Sequence, residues 1–261
     1  MYYKAYGITD IGCIRSKNED RILINGKVYS EGEASSLVCT PSVTAVCDGV
    51  GGERGGEIAA QTCLDELAGK SFSSLCEIKD IRRDILAIHD KVLDIAAKTQ
   101  EHENMQTTLC ALSLDEKGNG LCINVGDSRL YRYGNGLATL ISTDHTLVQY
   151  LYDMGEISAQ ELKNSPDRNV IISSIGGDRL PPKIDITTIG APFGVLVNDT
   201  IIICTDGVSD YVGKTEIEVC MGLELPFEEK IDALYRLALS RGSCDNLSII
   251  GITTFETEED E

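Results

Sequence analysis

Apolar residues gather in seven short stretches along the chain, and each stretch predicts a β-strand. They are Val43–Cys47, Leu109–Leu114, Leu121–Val125, Leu130–Tyr133, Ile184–Thr188, Thr200–Cys204 and Leu247–Thr254. DEKGNG and YGNG separate neighbouring stretches, and their Gly and Asn supply the positive φ of tight hairpins, so antiparallel neighbours are expected. A helical period governs Glu77–Lys98, where Ile78, Ile81, Ile85, Ile88, Val92 and Ile95 form one stripe. That stripe is short for a coiled coil, and packing on a sheet is the preferred reading. Glu57–Leu67 predicts a second helix. Pro226 opens a third, with Ile231, Leu234, Tyr235 and Ala238 facing inward and Gly242 as its stop. From Thr146 to Pro182 short helical pieces mix with polar loop, which reads as a surface insertion, a flap beside a site. Long helices combined with hairpins indicate an α+β layered fold. No repeat or linker divides the chain, so one domain over 1–261 is expected, with a frayed acidic tail at 256–261.

Charge narrows the function. Asp and Glu number 42 against 23 Lys and Arg, a formal charge of −19 that repels nucleic-acid backbones and anionic membrane surfaces. No run is long and apolar enough to span a bilayer, and the N-terminus lacks a signal-peptide core, so a cytoplasmic, monomeric protein is expected. Ten cysteines occur without a Cys-x-x-Cys or zinc-finger spacing to His89, His102 or His145. Most lie in apolar stretches, where a reduced thiol packs as a small hydrophobe.

Several strands end in Asp. Asp48-Gly49 follows VTAVC, Asp127 follows INVG, Asp206-Gly207 follows IIICT, and Asp245-Asn246 leads into LSIIGI. One such Asp is an ordinary turn former; several converging would repel each other unless a cation sits among them. Scattered turn aspartates and a centre for a hard ion, Mg²⁺ or Mn²⁺, both remain open on spacing alone. DEKGNG is not an EF-hand, and GVGGERGG has neither the Gly-Lys-Ser/Thr ending of a P-loop nor a dinucleotide fingerprint.

Seven motifs occur in order: RSKNED (Arg15–Asp20), CDGVGG (Cys47–Gly52), Thr107-Thr108, NVGDSR (Asn124–Arg129), TDH (Thr143–His145), CTDGVSD (Cys204–Asp210) and CDNLS (Cys244–Ser248). Together they resemble the metal-dependent protein phosphatase family of the 2C type, in its compact bacterial form. The resemblance implies a four-layer α-β-β-α sandwich, a central antiparallel β-sandwich flanked by helices, with two Mn²⁺ or Mg²⁺ ions at one end. It implies a serine/threonine phosphoprotein phosphatase acting on substrates of a cytosolic kinase, by in-line attack of a hydroxide shared between the ions. Carried over by position, Asp48 bridges both ions and Gly49 offers its carbonyl to the second. Asp206 and Asp245 complete the first shell, while Glu19 and Asp20 hold the second. Asp127 and Asp210 match a third, weaker site, and Arg15 matches the phosphate clamp, for which a planar guanidinium is suited.

Three positions depart from the family pattern. Val50 stands where many relatives carry a His general acid, Gln106 replaces a Gly before the paired threonines, and Ser165-Pro166 replaces a commoner His-Pro. His145 is expected in a structural hydrogen bond, Arg129 in ordering a turn, and Asp144 as a cap or supporting partner. His89 and His102 are expected at the solvent. The competing reading is an inactive member that binds phosphopeptides or a kinase; it would be marked by a lost metal carboxylate, and none is lost.

Overall fold

The first forty residues contribute four strands that no run of alternating residues announces. In the computed structural model, which describes residues 2–50, 55–70, 72, 78–98, 102–178 and 180–254, β1 is Tyr2–Asp10, β2 Arg21–Ile24, β3 Lys27–Tyr29 and β4 Gly32–Cys39. The tail at 256–261 and the helix start at Glu77 lie outside the described residues. β5 (Ser42–Cys47) and β6 (Gly49–Val50) precede helices α1 (Gly56–Ala68) and α2 (Ile78–Ala96). Then come β7 (Gln106–Thr107), β8 (Leu109–Leu114), β9 (Gly120–Val125), β10 (Arg129–Gly134) and β11 (Leu137–Leu140). The flap holds α3 (Leu147–Asp153), α4 (Ala159–Asn164) and β12 (Ile175–Gly176). β13 (Asp185–Thr188), β14 (Thr200–Cys204), α5 (Asp206–Ser209), α6 (Lys214–Met221), α7 (Phe227–Ser240) and β15 (Leu247–Thr254) follow.

All strand pairs are antiparallel. One six-stranded sheet runs β11-β10-β14-β15-β1-β4, the other β13-β9-β8-β5-β2-β3. The hairpins fall where the sequence places them, with Gly118, Asn135 and Gly136 at positive φ. Three apolar clusters define four layers. Ile22, Ile24, Val46, Ile203 and Ile250 interdigitate between the sheets. α1 and α2 cover the outer face of the second sheet through Leu64, Ile81, Ile85, Ile88 and Val92. α6 and α7 cover the first through Ile217, Ile231, Leu234 and Ala238. The fold is therefore the α+β sandwich expected.

β1 explains why it is hard to read. Tyr3 and Ala5 face the opposite sheet while Tyr6 and Ile8 face the helices, so both faces are buried and no polar alternation remains. Gly7 leaves room for the opposite sheet: a Cβ there would meet Ile24 Cδ1 at 2.9 Å.

Two expectations change. His89 is buried, not solvated, and its Nδ1 accepts from the Gly176 N–H at 3.0 Å. Packing of β12 against α2 widens the helix's buried arc to include it. His102 is half-buried. The segment 146–182 is also more than a surface insertion, because β12 joins β7 and β6 in a small three-stranded sheet and Ile175 enters the core.

Arg132 and Asp199 form a buried bidentate pair inside the first sheet's end, with Nε–Oδ1 2.9 Å and Nη2–Oδ2 2.6 Å. Removing one partner of such a pair strands the other charge away from water. Asp199→Ala is expected to lower unfolding free energy by about 3 kcal/mol, read from urea denaturation; a change within about 0.5 kcal/mol, ordinary for surface sites, would refute this.

Candidate metal and phosphate site

The acidic residues converge because strand ends of both sheets meet at one edge of the sandwich. β2 and β5 pair Arg21 with Cys47, which sets Asp20 beside Asp48. β14 and β15 pair Cys204 with Ile249, which brings Thr205 and Asp206 to the residues just before β15. Thr205 stitches the sheets together: its hydroxyl accepts from the Ser248 N–H at 3.1 Å and donates to Asp20 Oδ2 at 2.9 Å.

Asp48 is positioned through its backbone. Thr107 Oγ1 and the Thr108 N–H both donate to the Asp48 carbonyl at 2.9 Å. The Asp48 N–H donates to Thr108 Oγ1 at 3.0 Å, and Thr108 in turn contacts Ser128 Oγ at 2.7 Å. The paired threonines thus fix Asp48, a role their spacing alone did not reveal. Gly49 follows in so tight a space that a Cβ would lie 2.4 Å from the Gly56 carbonyl carbon. Asn246 is a second residue missed by sequence reasoning. It accepts from the Glu19 N–H at 2.9 Å and donates to the Ile11 and Lys17 carbonyls, tying the Arg15–Asp20 loop to Asp245.

Asp20 and Asp127 are buried, and Asp20 Oδ1, Asp127 Oδ1 and Asp206 Oδ1 have no hydrogen-bond partner. Burial pushes Asp20 up to about 7, against the hydrogen bonds of Ser248 and Thr205, with Asp206 and Asp245 adding to the rise. Burial likewise pushes Asp206 up to about 6. Asp48 and Asp127 are raised well above the ordinary Asp range, first by burial and then by the charge of Asp206. Asp48 and Asp206 retain some solvent-exposed area, yet the atoms packed around them still make desolvation the leading cause. The charge of each carboxylate in the group thus works against the ionisation of its neighbours. Glu19 is raised by burial and by Glu57, while Lys17 and Arg15 oppose the shift. Glu57 itself pairs with Lys17 and keeps Oε2 unpartnered, an acid at the mouth of the site that sequence reasoning read only as a helix start.

Arg15 Nη2 donates to Asp245 Oδ2 at 2.7 Å, with both side chains partly exposed. Asp210 faces the flap, accepting from Arg168 Nη2 at 3.3 Å and Asn169 Nδ2 at 3.2 Å. Asp127, Asp206 and Asp210 all line a cavity of about 710 Å³ between flap and sandwich. Among the described residues, no three acidic, His or Cys side chains are already closed into a metal shell. Arg15 holds Asp245. The donor set nevertheless fits a hard divalent cation: oxygens only, three of them buried and unpartnered, on carboxylates that repel one another.

The remaining polar residues have structural work. His145 Nδ1 accepts from the Gly126 N–H at 3.2 Å and its Nε2 faces Asp185 at 3.0 Å, the structural role expected. Arg129 grips Asp144 with Nε and Nη2 at 3.0 and 2.6 Å. Gln106 accepts from Ser174 of the flap's exit at 2.7 Å. The nine described cysteines are free, six of them buried.

Residues 34–247 match the family model described as protein phosphatase 2C. The chain belongs to the protein phosphatase 2C family. It is 31% identical to the serine/threonine phosphatase stp of Listeria welshimeri, covering 93% of this chain and 92% of that protein. Its fold superposes on the serine/threonine phosphatase Stp1 of Staphylococcus aureus with a TM-score of 0.78 at 28% identity, covering 97% and 95% of the two chains. The catalytic domain of the serine/threonine protein phosphatase PstP, crystallised with two manganese ions, matches at TM-score 0.75 and 25% identity over 98% of this chain and all of that one.

A raised carboxylate value has a definite sign in stability. The folded chain keeps protons that the unfolded chain releases near the ordinary Asp value, so this stabilisation is full below about pH 4 and is lost as pH rises through about 7. Asp20→Asn escapes that loss. In metal-free buffer the variant is expected to gain on the parent by more than about 1 kcal/mol between about pH 5 and about pH 8. Parallel stability curves for the two proteins would contradict the burial argument.

Proposed function

We propose that this chain is a serine/threonine phosphoprotein phosphatase dependent on Mn²⁺ or Mg²⁺, working as one domain over 1–261. The observation that carries the reading is the group of buried, mutually repelling carboxylates with unpartnered oxygens, beside a partly exposed cation, Arg15. Membership of a protein phosphatase family and the two manganese ions in the PstP catalytic domain support it.

In this reading Asp48, Asp206 and Asp245 would hold one ion, Asp48, the Gly49 carbonyl, Glu19 and Asp20 would hold the second, and Asp127 and Asp210 would serve a third. When bound, such ions supply Lewis-acid charge to the phosphoryl group and lower the pKa of water. Arg15 leaves Asp245 and grips two phosphate oxygens, for which its fork of donors is shaped, offsetting charge as it grows on them. Thr107 and Thr108 lock the Asp48 backbone, which sets the point from which its carboxylate projects. Val50 has no proton to give and His145 is engaged with Asp185 and Gly126, so neither supplies the proton that the leaving alkoxide needs. No cysteine is needed as a nucleophile. Every carboxylate of the set is present, which speaks against a binding-only member. The substrates proposed are phosphoproteins made by a cytosolic kinase, with the enzyme acting as a cytoplasmic monomer that contacts neither nucleic acid nor membrane. No helix among the described residues is long and apolar enough to cross a membrane.

Hydrolysis of a small aryl phosphate across a Mn²⁺ titration tests the reading. Activity should saturate with Mn²⁺, vanish with chelator, and fall at least about a hundredfold in Asp206→Ala. Arg15→Ala should raise KM about 10- to 100-fold, the loss of a charge-assisted hydrogen bond. A folded protein that binds Mn²⁺ yet stays inactive on aryl phosphate and phosphopeptides alike would overturn it.

A further inference from the structure

The cavity of about 710 Å³ that Asp127, Asp206 and Asp210 line holds cations as well as acids: Arg129, Lys163, Arg168 and Lys214 share its walls with them and with Asp144. The pairing is uneven. Arg129 is spent on Asp144 at 2.6 Å, and Arg168 reaches Asp210 at 3.3 Å. Asp127 and Asp206 keep unpartnered Oδ1 atoms and belong to the proposed ion centre. Lys163 and Lys214 are left over, both exposed and without an acidic partner among the described residues. Lys214 is the first residue of α6, and with Gly213 it brings the positive end of that helix to the cavity wall. Lys163 lies in the last turn of α4, on the flap. Ser209 is an independent pointer to a ligand. It lines the cavity, is only 6% exposed, and its Oγ has no hydrogen-bond partner, whereas a buried hydroxyl normally finds one.

We propose that this cavity is a subsite for a second anionic side chain of the substrate, a carboxylate or a further phosphate, a few residues from the phosphoserine or phosphothreonine being hydrolysed. The inference rests on the phosphatase reading and names a substrate class within it. Lysine ammonium groups suit the task, because each is a compact charge with three donors that carboxylate and phosphate oxygens accept alike. The Ser209 hydroxyl adds a neutral donor. A cavity of this volume is roughly 9 Å across, about two to three residues of extended chain, which sets the spacing between the two anions.

The charge of the whole chain argues the other way, which makes the inference a sharp one. At −19 the protein as a whole attracts basic peptides and repels acidic ones. The two unpaired lysines reverse that preference at one place only, beside the carboxylates that the phosphatase reading gives to metal ions. Arg15 is not among the cavity's lining residues, so the clamp for the scissile phosphate and the subsite for the second anion do not compete. Selectivity of this kind is a difference between two affinities, one set by the distant acidic surface and one by the local cations.

The test compares three phosphoserine peptides on the full chain with Mn²⁺: one with neutral neighbours, one with Glu two and three residues away on both sides, and one with further phosphoserines there. KM for an anion-flanked peptide should lie about 5- to 10-fold below that of the neutral peptide, the upper end for two exposed ion pairs, with kcat little changed. The advantage should shrink as NaCl rises from about 50 to about 500 mM. The double variant Lys163→Ala/Lys214→Ala should erase it while hydrolysing a small aryl phosphate like the parent, since both side chains are exposed and outside the proposed ion centre. A gain from Glu and phosphoserine alike, or from phosphoserine alone, supports the subsite and identifies the anion it takes. Equal KM for all three peptides, or an advantage that survives in the double variant, would overturn it. If the parent leaves aryl phosphate and peptides intact, the phosphatase reading fails, and the subsite is then read from binding of the same three peptides by fluorescence anisotropy. Tighter binding of the anion-flanked peptides, lost in the double variant, would support it there, and equal affinities would sink it.

Discussion

Like charges crowded at the end of a β-sandwich are what the rest of this molecule is built to withstand. Asp20 and Asp48 come from the second sheet, Asp206 and Asp245 from the first, so their separation is set by how the sheets pack. Directly behind them the inter-sheet core is made of Ile22, Ile24, Val46, Ile203 and Ile250. Burying that surface is favourable in proportion to its area. The apolar contact therefore holds together what electrostatics would push apart, and Gly7, with no side chain to hold the sheets off, lets them close.

The supports around the acids are mostly neutral. Thr205, Thr107, Thr108, Ser128, Ser248 and Asn246 hold carboxylates and the backbone next to them through short, well-defined hydrogen bonds. A ring of cations would have cancelled the negative charge instead of only directing it. The buried cation Arg21 spends its Nη1 on the Asn18 and Asp20 carbonyls, while at the rim Arg15 and Lys17 pair with Asp245 and Glu57. Solvent weakens each of these pairs, which makes Arg15 cheap to detach.

The sequence was most legible where one face of an element meets water. The α7 stripe of Ile231, Leu234 and Ala238, the α2 stripe from Ile81 to Val92 and the Asn135-Gly136 turn are present as read, whereas Ile78 at the start of the α2 stripe is exposed. Elements covered on both sides were opaque: β1 shows no alternation because neither face is polar. α6 is short and carries only Ile217, Cys220 and Met221 inward, too few turns for a period to emerge. His89 was misread since the helix period reports one partner, the sheet, and β12 arrives from a residue range far along the chain. The acids at strand ends were visible by spacing, but their convergence depends on register between strands distant in sequence. Thr205 and Asn246 carry no signal beyond the motifs around them, because Asp20 and Glu19, which they hold, lie more than 180 residues away.

The position of β15 has a consequence for how the protein is made. It fills the place between β14 and β1, so the first sheet has a gap at its centre until the final described strand is added. On a ribosome, β1 through β14 emerge first, with two open strand edges facing each other across the missing position. Asp245 and Asn246 arrive with that last strand and bring the loop carrying Arg15 and Glu19 into register. A nascent chain is therefore chemically silent until β15 has emerged, and the catalytic edge and the first sheet are completed by the same closing step.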